Sequence, residues 1–156
     1  MQVRRLGSGD AALWRDIRLE ALERAPEQFS SSFADWVGRP LADFAARLEG
    51  ATVWAVVEAD RALAVAALTP DDEGRALGWV ESVYVRPEVR GRGLAQAVLA
   101  EVEQAARARG LAELRLEVRA ANPAARGLYE RMGFREVPGA GTSCGGKCEI
   151  AMVKGL

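Results

Sequence analysis

The sequence predicts a mixed α/β (α+β) domain, with a central sheet of about six to seven strands flanked by about four helices. Three observations point there. Between Thr52 and Val85, three short apolar runs are separated by turn residues, as expected of consecutive strands. Directly after them the apolar pattern lengthens to a helical period and then shortens again, giving strand, helix, strand. Finally, the chain has 156 residues, of which 49% are hydrophobic and 28% charged, the balance of an ordinary globular core. One continuous domain over residues 1–156 is therefore expected.

The elements follow in order. From Asp10 to Arg24, Leu13, Ile17, Leu19 and Leu22 recur near helical spacing, and Asp10 is placed to cap the start. Phe29, Phe33 and Trp36 punctuate a Ser-rich stretch, after which Pro40 suits the first turn of a short helix ending near Leu48. Thr52–Glu58 (TVWAVVE) and Ala62–Leu68 (ALAVAAL), joined by Ala59, Asp60 and Arg61, read as a hairpin of buried strands. Leu77–Val85 (LGWVESVYV) follows the turn residues Pro70–Gly74 and is closed by Arg86 and Pro87.

Leu94, Val98, Leu99, Val102 and Ala105 then mark one helical face between Gly91 and Arg109, and Gly110 stands where a left-handed C-cap is wanted. Leu114, Leu116 and Val118 alternate with Arg115, Glu117 and Arg119, the pattern of a half-buried strand. A right-handed crossover would set this strand parallel to the one ending at Val85. Asn122 and Pro123 supply an N-cap and a first helical residue for a short helix carrying Leu128, Tyr129 and Met132, stopped at Gly133. Phe134–Val137 and Cys148–Val153 read as closing strands around the Gly-rich stretch Pro138–Gly146, which should be mobile.

Composition excludes several functions. The 21 basic and 22 acidic side chains leave net charge −1, so no global field favours a nucleic-acid or anionic-membrane partner. A chain without histidine builds no Ser-His-Asp triad, Cys-His pair or histidine metal site. Cys144 and Cys148 alone do not fill a zinc site, so two reduced thiols and no metal are expected. The opening MQVRRLGSGD lacks the apolar core of a signal peptide, and no window approaches the roughly 18 apolar residues of a membrane span. A cytoplasmic protein is expected.

The most informative stretch is VESVYVRPEVRGRGLA, Val80–Ala95, where a strand feeds through a proline turn into a loop with Gly91 and Gly93 and then a helix. Backbone N–H groups at a helix N-terminus converge on one spot, the helix dipole adds about half a positive charge, and glycines admit an anion closely. Arg90 and Arg92 add ionised donors. The stretch is neither a Walker loop, lacking a following Lys-Ser or Lys-Thr, nor a GxGxxG turn, lacking the third glycine.

This stretch resembles the GNAT family of acetyl-CoA-dependent N-acetyltransferases, whose Arg/Gln-x-x-Gly-x-Gly/Ala motif is matched by Arg90, Gly93 and Ala95. NPAARGLYERMGF, Asn122–Phe134, resembles the family's later asparagine-to-tyrosine helix with its Gly-Phe ending. RLEALERAPEQFSSSF, Arg18–Phe33, resembles the acceptor-side opening of many small members. The resemblance implies the GNAT fold, with parallel strands splayed at the cofactor cleft. It implies that backbone amides of Arg90, Gly91, Arg92, Gly93, Leu94, Ala95 and Gln96 hold the pyrophosphate of acetyl-CoA, and that Val83, Tyr84 and Val85 border its pantetheine arm. Asn122 would touch the arm, and Tyr129, seven residues later on the same helical face, would donate a proton to the leaving thiolate. A backbone N–H at or beside Val85 would serve the reacting oxygen.

Transfer to an amine also needs a proton acceptor, since an amine of lysine-like pKa is only about 0.04% neutral at pH 7. Glu81 interrupts an apolar strand and is the first candidate, with burial suiting it to that task; the competing reading is a salt-bridged or edge glutamate. Glu117 is the competitor, although its alternation with Leu116 and Val118 fits a solvent-facing charge. Phe29, Phe33, Trp36 and Trp54 are candidates for an acceptor pocket or for the core. Gly127, inside its helix, and Ala64, where similar proteins usually have glycine, depart from the family pattern.

The first reading is transfer to a primary amine of a small molecule. Acetylation of protein α-amino or lysine groups is the alternative and calls for an open groove in place of an aromatic pocket; a non-catalytic acetyl-CoA-binding module is a third. The resemblance also admits a homodimer.

Overall fold

Strand pairing begins at a two-residue turn. Glu58 pairs with Arg61, and Ala59 and Asp60 between them both have positive φ, 51° and 59°, the mirror-image turn whose twist matches that of paired strands. In the computed structural model, which describes residues 2–137 and 149–156, this hairpin joins β2 (Thr52–Glu58) to β3 (Arg61–Pro70). The remaining strands are β1 (Gln2–Leu6), β4 (Leu77–Val85), β5 (Glu113–Arg119), β6 (Arg135–Glu136) and β7 (Glu149–Gly155). The α-helices are α1 (Ala11–Arg24), α2 (Phe33–Trp36), α3 (Leu41–Gly50), α4 (Leu94–Ala108) and α5 (Pro123–Arg131). All seven strands form one sheet in the order β1-β2-β3-β4-β5-β7-β6. Cys144, Cys148 and the Gly-rich stretch lie outside the described residues.

Three local expectations change. An edge strand, β1, precedes the first helix and pairs with β2 from Gln2–Val57 to Leu6–Val53. Its charged Arg4 and Arg5 hide the alternation, and backbone pairing to β2 holds it. Asp10 does not cap α1: its carboxylate accepts from Gly7 N–H at 2.8 Å and pairs with Arg4 at 3.0 Å. The Ser-rich stretch contains the single turn α2, capped where Ser32 Oγ accepts from Asp35 N–H. Elsewhere the caps are those expected, with Gly110 at φ 73° after α4 and Asn122 Oδ1 accepting from Ala125 N–H at 3.2 Å before α5.

The sheet is buried on both faces. Leu6, Trp14, Ile17, Phe44, Val53, Val65 and Tyr84 form one cluster under α1 and α3. Trp54, Val56, Leu68, Val98, Leu99, Leu116 and Met152 form the other under α4 and α5. Period-two alternation sends neighbours to opposite faces, so Val53 and Trp54 enter different cores. Full burial of each large aliphatic side chain contributes about 1.5–3 kcal/mol. Among the described residues, no helix is long and apolar enough to cross a membrane.

Between β4 and β5 the sheet comes apart. They run parallel, as the crossover predicts, but only Leu77–Glu113, Gly78–Leu114 and Trp79–Arg115 are in register. On its other edge β4 carries a bulge, because Glu81 opposes Ala67 and Tyr84 opposes Val65, leaving Ser82 and Val83 against Ala66. Ser82 takes φ 57°, a left-handed conformation rare for serine. A bulge bends its strand, and here it lies just where β4 parts from β5.

Arg86, directly after β4, is 2% exposed. Its Nε donates to Ala62 O at 2.6 Å, Nη1 to Glu20 at 2.8 Å and Nη2 to Asp16 at 2.7 Å. Tyr84 Oη also donates to Glu20, at 3.0 Å, and burial with this bond pushes the phenol up to about 12. One guanidinium thus ties α1 and β3 to the end of β4. Removing one partner of such a cluster leaves buried charge uncompensated, and Arg86→Ala is expected to cost about 3–5 kcal/mol in urea denaturation. A loss below about 1 kcal/mol would show that the cluster is not holding α1 in place.

Candidate active site

Where β4 and β5 diverge, the structure has a cavity of about 520 Å³ whose walls include Val80–Val83, Leu116–Arg119, Asn122 and Tyr129. Had the parallel register of Leu77 with Glu113 continued, Glu81 would stand opposite Glu117. Instead the two carboxylates flank the opening, both lining the cavity. The unpaired backbone edges of the two strands face the gap. Arg86 N–H bonds Leu63 O at 3.0 Å, so the adjacent pair, Val85 with Ala64, is of the non-hydrogen-bonded kind. The N–H and C=O of Val85 therefore turn away from β3, toward the side β5 has left. Val85 O accepts from Arg90 Nε at 3.2 Å.

At the head of this gap α4 begins. Gly93, its N-cap, has φ 77° and provides no side-chain cap, and Gly91 has φ 82°. Both conformations suit glycine and strain other residues. The first-turn N–H groups at Leu94, Ala95 and Gln96 have no intrahelical partner. A Cβ built on Gly91 would meet nothing within 4 Å, so this turn is open to the outside. Such a turn suits a diphosphate, and the unpaired edge of β4 suits an amide-bearing arm. Leu94 itself is buried in the α4-side core; Arg90, Gly91, Arg92, Gly93 and Gln96 are exposed and Ala95 half-buried.

Glu81 is exposed, which departs from the burial expected of it, and its Oε2 accepts from Thr69 Oγ1 at 3.3 Å. The strand it interrupts is opened at that point by the loss of β5. Tyr129 is 8% exposed, stacks edge-on against Phe134 at 5.9 Å, and is held well above the ordinary tyrosine range by burial. Its phenol is a proton carrier at neutral pH. Asn122 Oδ1 is occupied by the α5 cap, which leaves the amide nitrogen for other partners. Tyr84 is turned the other way: alternation from Val83 and Val85 sends its ring to the α1 side and its hydroxyl to Glu20.

Of the four aromatics expected at an acceptor pocket, only Phe29 lines the cavity. Trp54 lies in the α4-side core. Trp36 packs edge-on against Phe44 at 5.2 Å, beneath Arg39 at 4.3 Å, and Phe33 begins α2. Trp79 also lines the cavity, together with polar and charged residues, among them Arg18, Arg47, Asp72 and Glu73.

Glu117 is drawn into an acidic group. Across β5 and β7, Arg119 is in register with Glu149, which puts Glu149 diagonally beside Glu117 on one face. Glu117 is exposed, as its alternation predicts, and a hydrogen bond to Glu149, some desolvation, and repulsion from Glu149 and Glu81 together raise its carboxyl to about 7. No feature of strand β5 alone reveals this, because the responsible partner comes from β7.

Comparison with known proteins gives a consistent picture. The profile described as the acetyltransferase (GNAT) family matches residues 11–134. No curated protein sequence matches the chain. Among solved structures, the chain is similar to a ribosomal-protein-alanine N-acetyltransferase from Brucella melitensis, with 23% identity, TM-score 0.80 and 100% of each chain covered. It is similar to an acetyltransferase of the GNAT family from Streptococcus pneumoniae, with 20% identity, TM-score 0.83 and 99% and 98% covered. It is also similar to PaiA N-acetyltransferase from Thermoplasma acidophilum in complex with coenzyme A, with 15% identity, TM-score 0.75 and 100% of each covered.

The raised carboxyl has a thermodynamic signature. Folding shifts Glu117 from 4.5 to about 7, so the folded state binds its proton more tightly than the unfolded one. The corresponding stability is fully present below pH 4.5 and is lost as pH rises through about 7. Glu117→Gln, which keeps a donor toward Glu149, should flatten this part of the stability profile and raise Tm relative to the parent at pH 8. Parallel Tm profiles for the two proteins from pH 4 to pH 8 would contradict the assignment.

Proposed function

Since the chain belongs to the GNAT family of acetyltransferases, we propose that it transfers an acetyl group from acetyl-CoA to a primary amine, and that the acceptor is the α-amino group of a polypeptide. The observation that carries this reading is the opening between β4 and β5. The opening where β4 parts from β5 carries Glu81, Glu117 and Tyr129 on its wall with Val83 of the β4 edge, and the uncapped start of α4 follows β4 directly in the chain.

When bound, acetyl-CoA supplies an acyl group activated as a thioester. The N–H groups from Gly91 to Gln96 would hold the diphosphate, that of Arg90 being given to Pro87 O at 3.4 Å, and the β4 edge at Val83 and Val85 would align the arm. Glu117, with Glu81 across the gap, accepts the proton that the amine sheds as its nitrogen bonds the acyl carbon. Tyr129 holds a proton at its phenol oxygen for the sulfur that departs, and solvent restores both groups.

Two observations favour a polypeptide terminus over a small amine. The cleft is lined mainly by polar and charged residues, and Phe33, Trp36 and Trp54 do not line it, although Phe29, Trp79 and Tyr129 do. In addition, an α-amino group is roughly 10% neutral at pH 7, against about 0.04% for a lysine-like amine. A carboxyl near 7 is matched to the former. The similarity to a ribosomal-protein-alanine N-acetyltransferase from Brucella melitensis is in keeping with this reading.

The test is release of coenzyme A thiol with acetyl-CoA and a panel of N-terminal peptides, N-terminally blocked lysine peptides, polyamines and aminoglycosides. Peptides with free α-amino groups should be the best acceptors; transfer to polyamines or aminoglycosides alone would return the acceptor to the small-molecule class. Glu117→Gln and Tyr129→Phe should each lower kcat/KM about 100-fold. In the parent protein kcat/KM should rise with pH through about 7 as Glu117 loses its proton, and Glu117→Gln should lose that limb.

A further inference from the structure

A second ionised group lines the cleft without a partner. Arg18, on the inner face of α1, is 9% exposed and lines the cavity together with Arg47 of α3. Its Nη1 is buried and meets no hydrogen-bond acceptor among the described residues. The guanidinium is held by two rings, its carbon 4.8 Å from the centre of Phe29 and 5.8 Å from that of Trp14. Arg86 shows how this fold otherwise treats a buried arginine, with two carboxylates and a carbonyl bound to its nitrogens. Arg18 has no such set.

Taking an ion out of water costs more than aromatic faces return, and the repulsion from Arg47 adds to the cost. Burial and Arg47 lower the Arg18 guanidinium to about 10 while Glu81 opposes them, so it stays charged at neutral pH. The cleft therefore carries both signs of charge: the carboxylates of Glu81, Glu117 and Glu149, with Glu81 close enough to act on Arg18, and the guanidinium groups of Arg18 and Arg47. The carboxylates suit an amine. The unbonded Arg18 nitrogen suits an anion.

We infer that the acceptor carries a carboxylate close to its reacting amine, and that Arg18, with Arg47 beside it, receives that carboxylate. A planar carboxylate matches the fork of a guanidinium in two parallel hydrogen bonds. A more highly charged phosphate would meet the repulsion of the acidic residues in the same cleft. This rests on acetyl transfer only in taking the acceptor to be an amine. The carboxylate has two sources, the free α-carboxylate of an amino acid or an acidic side chain just after a polypeptide terminus.

Matched acceptors decide the question: Ala-Asp and Ala-Asn N-terminal peptides with amidated C-termini, and free amino acids beside their amides. The carboxylate member of at least one pair should have a kcat/KM at least about tenfold higher, expressed in KM, and the better pair identifies the source. In Arg18→Met the ratio within that pair should fall to about one, and Arg18→Lys, charged but without the fork, should recover part of it. If Arg18→Met does not fold, Arg47→Ala should reduce the same ratio. Ratios near one for every pair in the parent protein would overturn the inference while leaving acetyl transfer intact. Should no acceptor be turned over, the acetyl-transfer reading fails on its own. The rise in Tm caused by each carboxylate and its amide then decides: a larger rise with a carboxylate that disappears in Arg18→Met supports the site, and equal rises refute it.

Discussion

Among the described residues, three residue pairs of parallel register, from Leu77–Glu113 to Trp79–Arg115, join the two halves of the sheet, preceded by a bond from Ala112 N–H to Ala76 O at 2.8 Å. Everything that gives the cleft its chemistry depends on that pairing ending where it does. Backbone N–H and C=O groups left unpaired in a protein interior are costly, so an interrupted ladder is stable only if water or a ligand reaches its edges. The bulge at Ser82 and Val83 bends β4 at the same place, and its left-handed serine is a strained conformation kept by pairing on both sides, Glu81 with Ala67 and Tyr84 with Val65. Continued register would have set Glu81 against Glu117, a like-charge pair that opposes closure.

The buried Arg86 cluster gives this opening a fixed frame. It joins α1, through Asp16 and Glu20, to β3, through Ala62 O, and sits between the end of β4 and the turn that leads to α4. Arg61 extends it, pairing with Glu88 in that turn at 3.0 Å and with Glu20 at 4.0 Å. The helix that carries Arg18 is thereby tied to the same framework as the loop before α4. The two buried arginines differ in role: Arg86, with its nitrogens bonded, fixes geometry, and Arg18, with Nη1 unbonded, leaves a charge for the cleft.

Much of this was legible in the residues themselves. The long helix, the hairpin, the half-buried strand at Leu114–Val118 and the Asn122 cap all rest on local periodicity or local hydrogen bonding, and each has its place in the fold. The glycine turn before α4 was visible because φ near 80° has a residue preference. What escaped needed tertiary knowledge. The face taken by Trp54 is undetermined in a strand apolar on both sides. Arg18 reads as the polar side of an amphipathic helix until Phe29, from beyond that helix, is seen to cover it. Glu117 alternates like a solvent-facing charge, and only register with β7 brings Glu149 beside it. Arg86 reads as the end of a strand, since its acidic partners lie 66 and 70 residues away along the chain.

The two parts of the candidate site are made of different material. At the start of α4 the candidate donors are main-chain amides on a turn whose glycines have no side chains, whereas the cavity wall includes the side chains of Arg18, Arg47, Phe29, Asp72 and Glu73. A point mutation rarely alters what a peptide amide offers, but it readily changes a guanidinium or a ring. Inherited variation in this scaffold would therefore fall unevenly, leaving the donor-holding turn nearly invariant in chemistry while the cavity wall drifts from one clientele to the next.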